Sequence, residues 1–306
     1  MSLSAHRQLK LWLVVLIAVT HAATLHADQP AVPIDSIVLE DNLVMMTGRG
    51  GNVAVSHGVD GVIVVDDQYA SQSGVLRAAI AALSATPLRF VINTHWHADH
   101  TGSNASLSAG GGTIIAHENV RTRLRSDQVI EFFASDRPAA PREAWPVLTF
   151  ATDLKIHFNN ERIEIVHPGN AHTDGDAVIF FEHANVVHTG DIFFNGMYPF
   201  IDAGTGGSVS GMLAAVDYVL ARINSDTRII PGHGVLADRD DLVEYRLMLN
   251  TVYNLVATAM ISGQGVEQVV AAKPTQLFDA KWGDGFLEPD TFVRMIFDSI
   301  TRTTLQ

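Results

Sequence analysis

The chain has 306 residues, is 47% hydrophobic and carries a formal net charge of −13. That is enough apolar material for a large core, and it excludes a disordered polymer. The acidic balance argues against sequence-independent binding to nucleic acid, which relies on Lys and Arg against phosphate. Cysteine is absent, so disulfides, thiolate ligands and a cysteine nucleophile are excluded and any metal site must use His, Asp or Glu.

Residues 1–27 have the pattern of a secretory signal: a basic start (His6, Arg7, Lys10), a short apolar run from Leu11 to Val19, and small residues ending at Ala27. The run is shorter than the ~20 residues a spanning helix needs. Cleavage after Ala27 would take the charge to −15, because residues 1–27 hold Arg7 and Lys10 but no acid. The expectation is export to a periplasm or the exterior, no stable membrane association after cleavage, and one domain over residues 28–306. Short apolar runs at 37–39, 43–46 and 52–55 read as strands. Asp60-Gly61 predicts a two-residue hairpin before the run at 62–65, which is apolar throughout and suits a strand covered on both faces. Residues 72–83 have helical spacing, and 88–92 read as a strand. A short helix at 104–108 is stopped by three glycines, then comes a strand at 113–116. The helix at 118–125 carries Arg121, Arg123 and Arg125, most simply a solvated face. Residues 126–146 contain three prolines and the large apolar Phe132, Phe133 and Trp145, which suggests a connector or a flap. Strands resume at 148–150, 154–158, 162–166, 177–181 and 185–188, with Asn159-Asn160 as a turn. Further on come a helix at 209–222, a strand at 228–230, and helices at 238–261, 266–272 and 289–301. Two halves, each a sheet with helices outside, predict a four-layer αββα sandwich of mixed α/β (α+β) class.

One stretch stands out. In Asn93-Thr94-His95-Trp96-His97-Ala98-Asp99-His100-Thr101-Gly102, three imidazoles and a carboxylate fall within six residues, just past a strand. Such N and O donors suit Zn²⁺ and its neighbours. Three later strands also end in a candidate ligand flanked by glycine: His172, Asp191 and His233. His57, His117, His157, His167, His183 and His188 read as ordinary polar residues.

The His-x-His-x-Asp-His loop followed by one His, one Asp and one His resembles the signature of the metallo-β-lactamase superfamily. The resemblance implies two metal ions: one held by His95, His97 and His172, one by Asp99, His100 and His233, with Asp191 as the bridge. Aspartate at that point resembles the glyoxalase II-like members, where some β-lactamases have cysteine. Asp66, at the end of the strand 62–65, would orient a metal-bound histidine.

The implied chemistry is that of a binuclear zinc hydrolase, with iron as the alternative metal. A metal-bound hydroxide would attack a small carbonyl substrate such as a β-lactam, lactone, ester or similar amide. Asp99 would orient the hydroxide and carry a proton. Phe193 and Phe194, with Met197, are candidates for an apolar substrate wall, and Tyr198 for an oxyanion donor. Competing readings are a thioester hydrolase of glyoxalase II type, a di-iron or mono-iron oxidoreductase on the same ligands, and a non-catalytic metal-binding protein. The expected partner is a small molecule, not a nucleic acid. The oligomeric state is not legible.

Overall fold

The computed structural model describes residues 30–304. The signal-like segment 1–27 lies outside the described residues. Among the described residues no helix is long and apolar enough to cross a membrane.

Four antiparallel strands open the fold: β1 (Asp35–Glu40), β2 (Leu43–Thr47), β3 (Val53–Gly58) and β4 (Gly61–Val65). The β3–β4 hairpin differs from expectation by one residue. Gly58 pairs with Gly61, so Val59-Asp60 forms the turn, and Gly61, at φ +126°, begins the strand. Asp60 is spoken for elsewhere, since its carboxylate accepts from the Asn159 amide at 2.7 Å.

Helix α1 (Ser73–Leu83) leads to β5 (Leu88–Ile92), then α2 (Ala98–Thr101), α3 (Asn104–Ala109), β6 (Thr113–His117) and α4 (Glu118–Leu124). The stretch expected as a connector folds into a small hairpin, β7 (Gln128–Ile130) and β8 (Ser135–Arg137), around the 3₁₀ turn Glu131–Phe133. β9 (Leu148–Phe150) then completes the first sheet, in the order β1-β2-β3-β4-β5-β6-β9 and parallel from β4 onward.

The second sheet contains β10 (Asp153–Phe158), β11 (Glu161–Val166), β12 (Val178–Phe181), β13 (Val186–His188) and β14 (Arg228–Ile230), in that order. Helix α5 (Val209–Leu220) precedes β14. After it come α6 (Arg239–Ile261), α7 (Val266–Ala271), α8 (Asp279–Trp282) and α9 (Pro289–Thr304). Asp238 starts α6 by accepting from the Asp240 and Asp241 amides, at 2.9 and 3.0 Å.

Strand alternation sorts the layers. Met45, Ala54, Ile63 and Val65 face inward against Ile163, Ile165, Ile179 and Phe181 of the other sheet. Their neighbours Val44, Val55, Val62 and Val64 face outward onto Leu76 and Ile80 of α1. The outer face of the second sheet packs Val178, Val187 and Ile229 against α5, α6 and α9. This is the αββα sandwich, each fully buried aliphatic side chain contributing about 1.5–3 kcal/mol.

The topology also sets the site. β11 and β13 are each antiparallel to β12, and β13 is parallel to β14. All three therefore end at the same edge of their sheet, facing the loop that leaves β5.

Candidate metal centre

The four strand-end loops bring seven donors together in two groups. His95, His97, His172 and Asp191 form one, Asp99, His100 and His233 the other, with the ligand atoms of each group within 4.8 Å of one another. Asp191 belongs to both by geometry. Its Oδ2 lies 3.8 Å from His95 Nε2 and 3.5 Å from His172 Nε2. Its Oδ1 lies 3.1 Å from His100 Nε2 and 3.5 Å from His233 Nε2.

The outward hydrogen bonds fix which ring nitrogen points in. Thr94 Oγ1 donates to Asp66 Oδ2 at 2.7 Å, so it accepts from His95 Nδ1 at 3.0 Å and leaves His95 Nε2 free inward. His97 is reversed: its Nε2 donates to Asp202 Oδ2 at 3.0 Å, and Nδ1 points in. His172 Nδ1 donates to the Phe200 carbonyl at 2.8 Å. His100 Nδ1 donates to Asp66 Oδ2 at 2.7 Å. Asp66 also accepts from the Thr94 amide at 2.8 Å and holds a left-handed φ of +60°, a strained conformation for a non-glycine residue and the kind that clusters at functional sites.

What remains inside is a convergence of ring nitrogens. His97 Nδ1 is 3.1 Å from His95 Nε2 and 2.9 Å from His172 Nε2, while His100 Nε2 is 3.3 Å from His233 Nε2. Protons cannot satisfy all these contacts at once. Asp191 Oδ1 is buried and faces His100 Nε2 and His233 Nε2 without a well-aligned hydrogen bond to either. A divalent cation at each cluster resolves both problems, and His nitrogen with carboxylate oxygen is a suitable donor set. The close approach depends on two glycines. A Cβ on Gly51 would sit 2.0 Å from the His100 ring, and one on Gly232 would sit 2.1 Å from Asp191 Oδ1.

The two clusters differ electrically. Burial, reinforced by the neighbouring His100, drives the His95 pKa well down. Burial takes His172 to about 4. At His100 and His233 burial also favours the neutral form, but carboxylates overcome it. Asp191, Asp99 and Asp66 raise His100, and Asp191 with Asp99 raises His233 to about 9. In return, despite the upward push of burial, His100 and His233 hold Asp99 and Asp191 below the usual carboxylate range.

Asp66 meets His100 as the sequence suggested, but the other supporting residues had no sequence signal. Asp202 lies in an irregular stretch, and the Phe200 contribution is a backbone carbonyl. His188, read as ordinary, donates from Nε2 to the Asn52 carbonyl at 3.0 Å and accepts from the Gly190 amide at 3.1 Å, bracing the Asp191 loop.

The proposed substrate wall needs correction. Phe193 is fully buried against Tyr245, with ring centroids 4.9 Å apart. Tyr198 is also fully buried; its hydroxyl donates to Asp279 at 2.8 Å and its ring stacks on Phe292, so it faces no substrate space. The 3₁₀ turn Gly190–Ile192 directs this segment into the core. Phe194 is buried and stacks on His233 at 5.2 Å, supporting the ligand. Of the three arginines on and just after α4, Arg123 pairs with Asp174 at 2.7 Å, Arg121 donates to the Pro146 carbonyl, and Arg125 lies over Trp145.

Comparison with known proteins agrees with this geometry. A hydroxyacylglutathione hydrolase from a Polaromonas species is 26% identical over 72% of this chain and 73% of its own length. The alpha subunit of a 2,4-dinitroanisole O-demethylase from a Nocardioides species is 27% identical over 45% of this chain and 40% of its own. A type 2 metallo-β-lactamase from Bacillus cereus is 25% identical over 49% and 53% respectively, so the matches span about half the length of these last two relatives. Among solved structures, a metallo-β-lactamase from Pontibacter korlensis superposes with a TM-score of 0.59 at 16% identity, covering 71% of this chain and 99% of that one. An inverting sec-alkylsulfatase from a Pseudomonas species gives 0.64 at 15% identity, covering 90% and 54%. These likenesses show a shared fold. The family model of the metallo-β-lactamase superfamily matches residues 46–233, well over half of the chain and every residue of both clusters; the chain belongs to that superfamily.

Proposed function

We propose that this chain is an exported, binuclear zinc hydrolase acting on a small carbonyl compound, such as a β-lactam, lactone, ester or amide. The observation that carries the reading is Asp191, which turns one carboxylate oxygen toward each cluster. When bound there, two zinc ions supply a water-derived nucleophile at neutral pH and polarise a carbonyl oxygen. The chain's own groups do the positioning. Asp66, Thr94, Asp202 and the Phe200 carbonyl lock four imidazoles with their lone pairs inward. Asp99 Oδ2, 3.2 Å from His233 Nε2, lies on the more open side and is 18% exposed. Asp99 would take a proton from the attacking water and pass it to the leaving atom.

The substrate is tested by metal quantification together with a hydrolysis panel of β-lactams, lactones, esters, thioesters and phosphodiesters. Two zinc ions per chain and turnover of a carbonyl substrate support the proposal. Two bound zinc ions with no carbonyl turnover would sink it. A thioester substrate is the second reading, favoured by the relative named hydroxyacylglutathione hydrolase, whose match covers 72% of this chain and 73% of its own length. An oxidoreductase would instead retain iron on the same N and O donors and absorb visible light.

A further inference from the structure

Three phenylalanines from separate segments form a continuous file from the metal ligands to solvent. Phe200 is buried, and its ring centroid is 5.7 Å from both His97 and His172. Phe133, on the turn of the β7–β8 hairpin, lies 5.0 Å from Phe200. Phe286, between α8 and α9, lies 5.7 Å from Phe133, edge to face. Exposure rises along the file, from 8% at Phe200 to 40% at Phe133 and 62% at Phe286. A water-facing aromatic strip that continues into a buried polar centre is unusual for a bare surface.

The hairpin is held in place to present this ring. Glu131 pairs with Arg302 of α9 at 2.8 Å, and its side chain packs against Gly204, where an added Cβ would lie 3.0 Å away. Ala134, directly after Phe133, takes a left-handed φ of +47° to close the turn. The second exposed ring is seated likewise, because Gly285 packs closely on Met197.

We propose that Phe133 and Phe286, continuing from Phe200, form the specificity wall of the site and select substrates whose reacting carbonyl carries an aryl group. This deepens the hydrolase reading and names its substrate class. The occupant follows from continuity with the metal centre. Phe200 lies 5.7 Å from two of the imidazoles, so an aryl substituent leaving the clusters on this side would meet an aromatic surface that continues through Phe133 and Phe286 to solvent.

The test is binding, so that it stands apart from turnover. Affinities for 2-naphthylacetate and for acetate are measured calorimetrically on the full chain, with and without zinc, for wild type, Phe133→Ala, Phe286→Ala and the double variant. The expected result is a preference for naphthylacetate that falls about 3- to 10-fold for each ring removed, with Phe133→Tyr restoring it. Leu247→Ala, on the exposed face of α6, is the control and keeps the wild-type preference. A preference that is unchanged in a folded double variant overturns the proposal. So does self-association in sedimentation that Phe286→Ala abolishes, because the strip would then be an interface between copies. Naphthyl preference with no carbonyl turnover would leave the wall standing while the hydrolase reading fell. Turnover without any aryl preference would do the reverse.

Discussion

The two halves of the metal centre are built from the same residue types but held in opposite electrical states. Around His95, His97 and His172 side-chain exposure does not exceed 7%, and burial keeps His95 and His172 neutral. Around Asp99, His100 and His233 the exposure reaches 24%, and carboxylates keep His100 and His233 protonated when no cation is bound. Near-identical donors thus give one pocket whose lone pairs are ready and another closed by its own ion pairs. The difference lies in which carboxylates stand within a few ångströms, not in the ligands themselves.

The strongest challenge to this division is Asp191→Ala, which removes the residue common to both clusters. It is expected to abolish nearly all hydrolysis and lower metal content at both positions, read by elemental analysis and turnover. His97→Ala and Asp99→Ala should also lose nearly all activity, each with metal lost first from its own cluster. Full activity in either purified variant would break the two-cluster description. Gly51→Ala, by driving a methyl group into the His100 ring, should empty the second cluster while the first still fills. Smaller effects should come from the orienting carboxylates. Asp202→Asn is expected to weaken metal binding at the first cluster, and Asp66→Asn most strongly at the second, where it holds His100 directly, each by about 10- to 100-fold in chelator competition. If both variants weakened the first ion most, the assignment of partners would be wrong.

The mildest test is protonic. His233, held at about 9, and His100 carry protons at pH 7 that a metal ligand cannot keep, whereas His95 and His172 carry none to lose. A raised pKa means proton and cation compete. Affinity at the second cluster should therefore rise with pH up to about 9, by about tenfold per unit for each proton displaced. Calorimetry in two buffers of different ionisation enthalpy should register more proton release on filling the second cluster than on filling the first.

Much of this was readable in the sequence, for physical reasons. Long strands and helices have a period, and the ligands stand where apolar runs end in glycine, so the layers and the seven donors were visible together. Four-residue helices such as α2 and α8 are too short to show a period. Asp202 approaches His97 across 105 residues of chain, and nothing local marks it. Closeness to Asp191 in sequence does not bring Phe193 or Tyr198 to the open side of the site, since both are fully buried. The 3₁₀ turn at Gly190–Ile192 sends Phe193 inward, and the exposed rings come from the hairpin and the α8–α9 loop instead.

Asn52 carries a mechanical consequence. It sits just before β3, yet its amide donates to the Gly232 carbonyl at 2.8 Å, and its side chain donates to Pro231 and Gly234 at 2.8 and 2.9 Å. One residue of the first sheet thus grips both sides of His233 on the second. The donors are divided the same way, with four on the first half and three on the second, so a cation at either cluster would act as a rivet against shear between the sheets. A chelator can pull the rivets, but it leaves Asn52 as a stitch. The emptied protein should then loosen along this seam before either sheet unravels, and close again at the same alignment when metal returns.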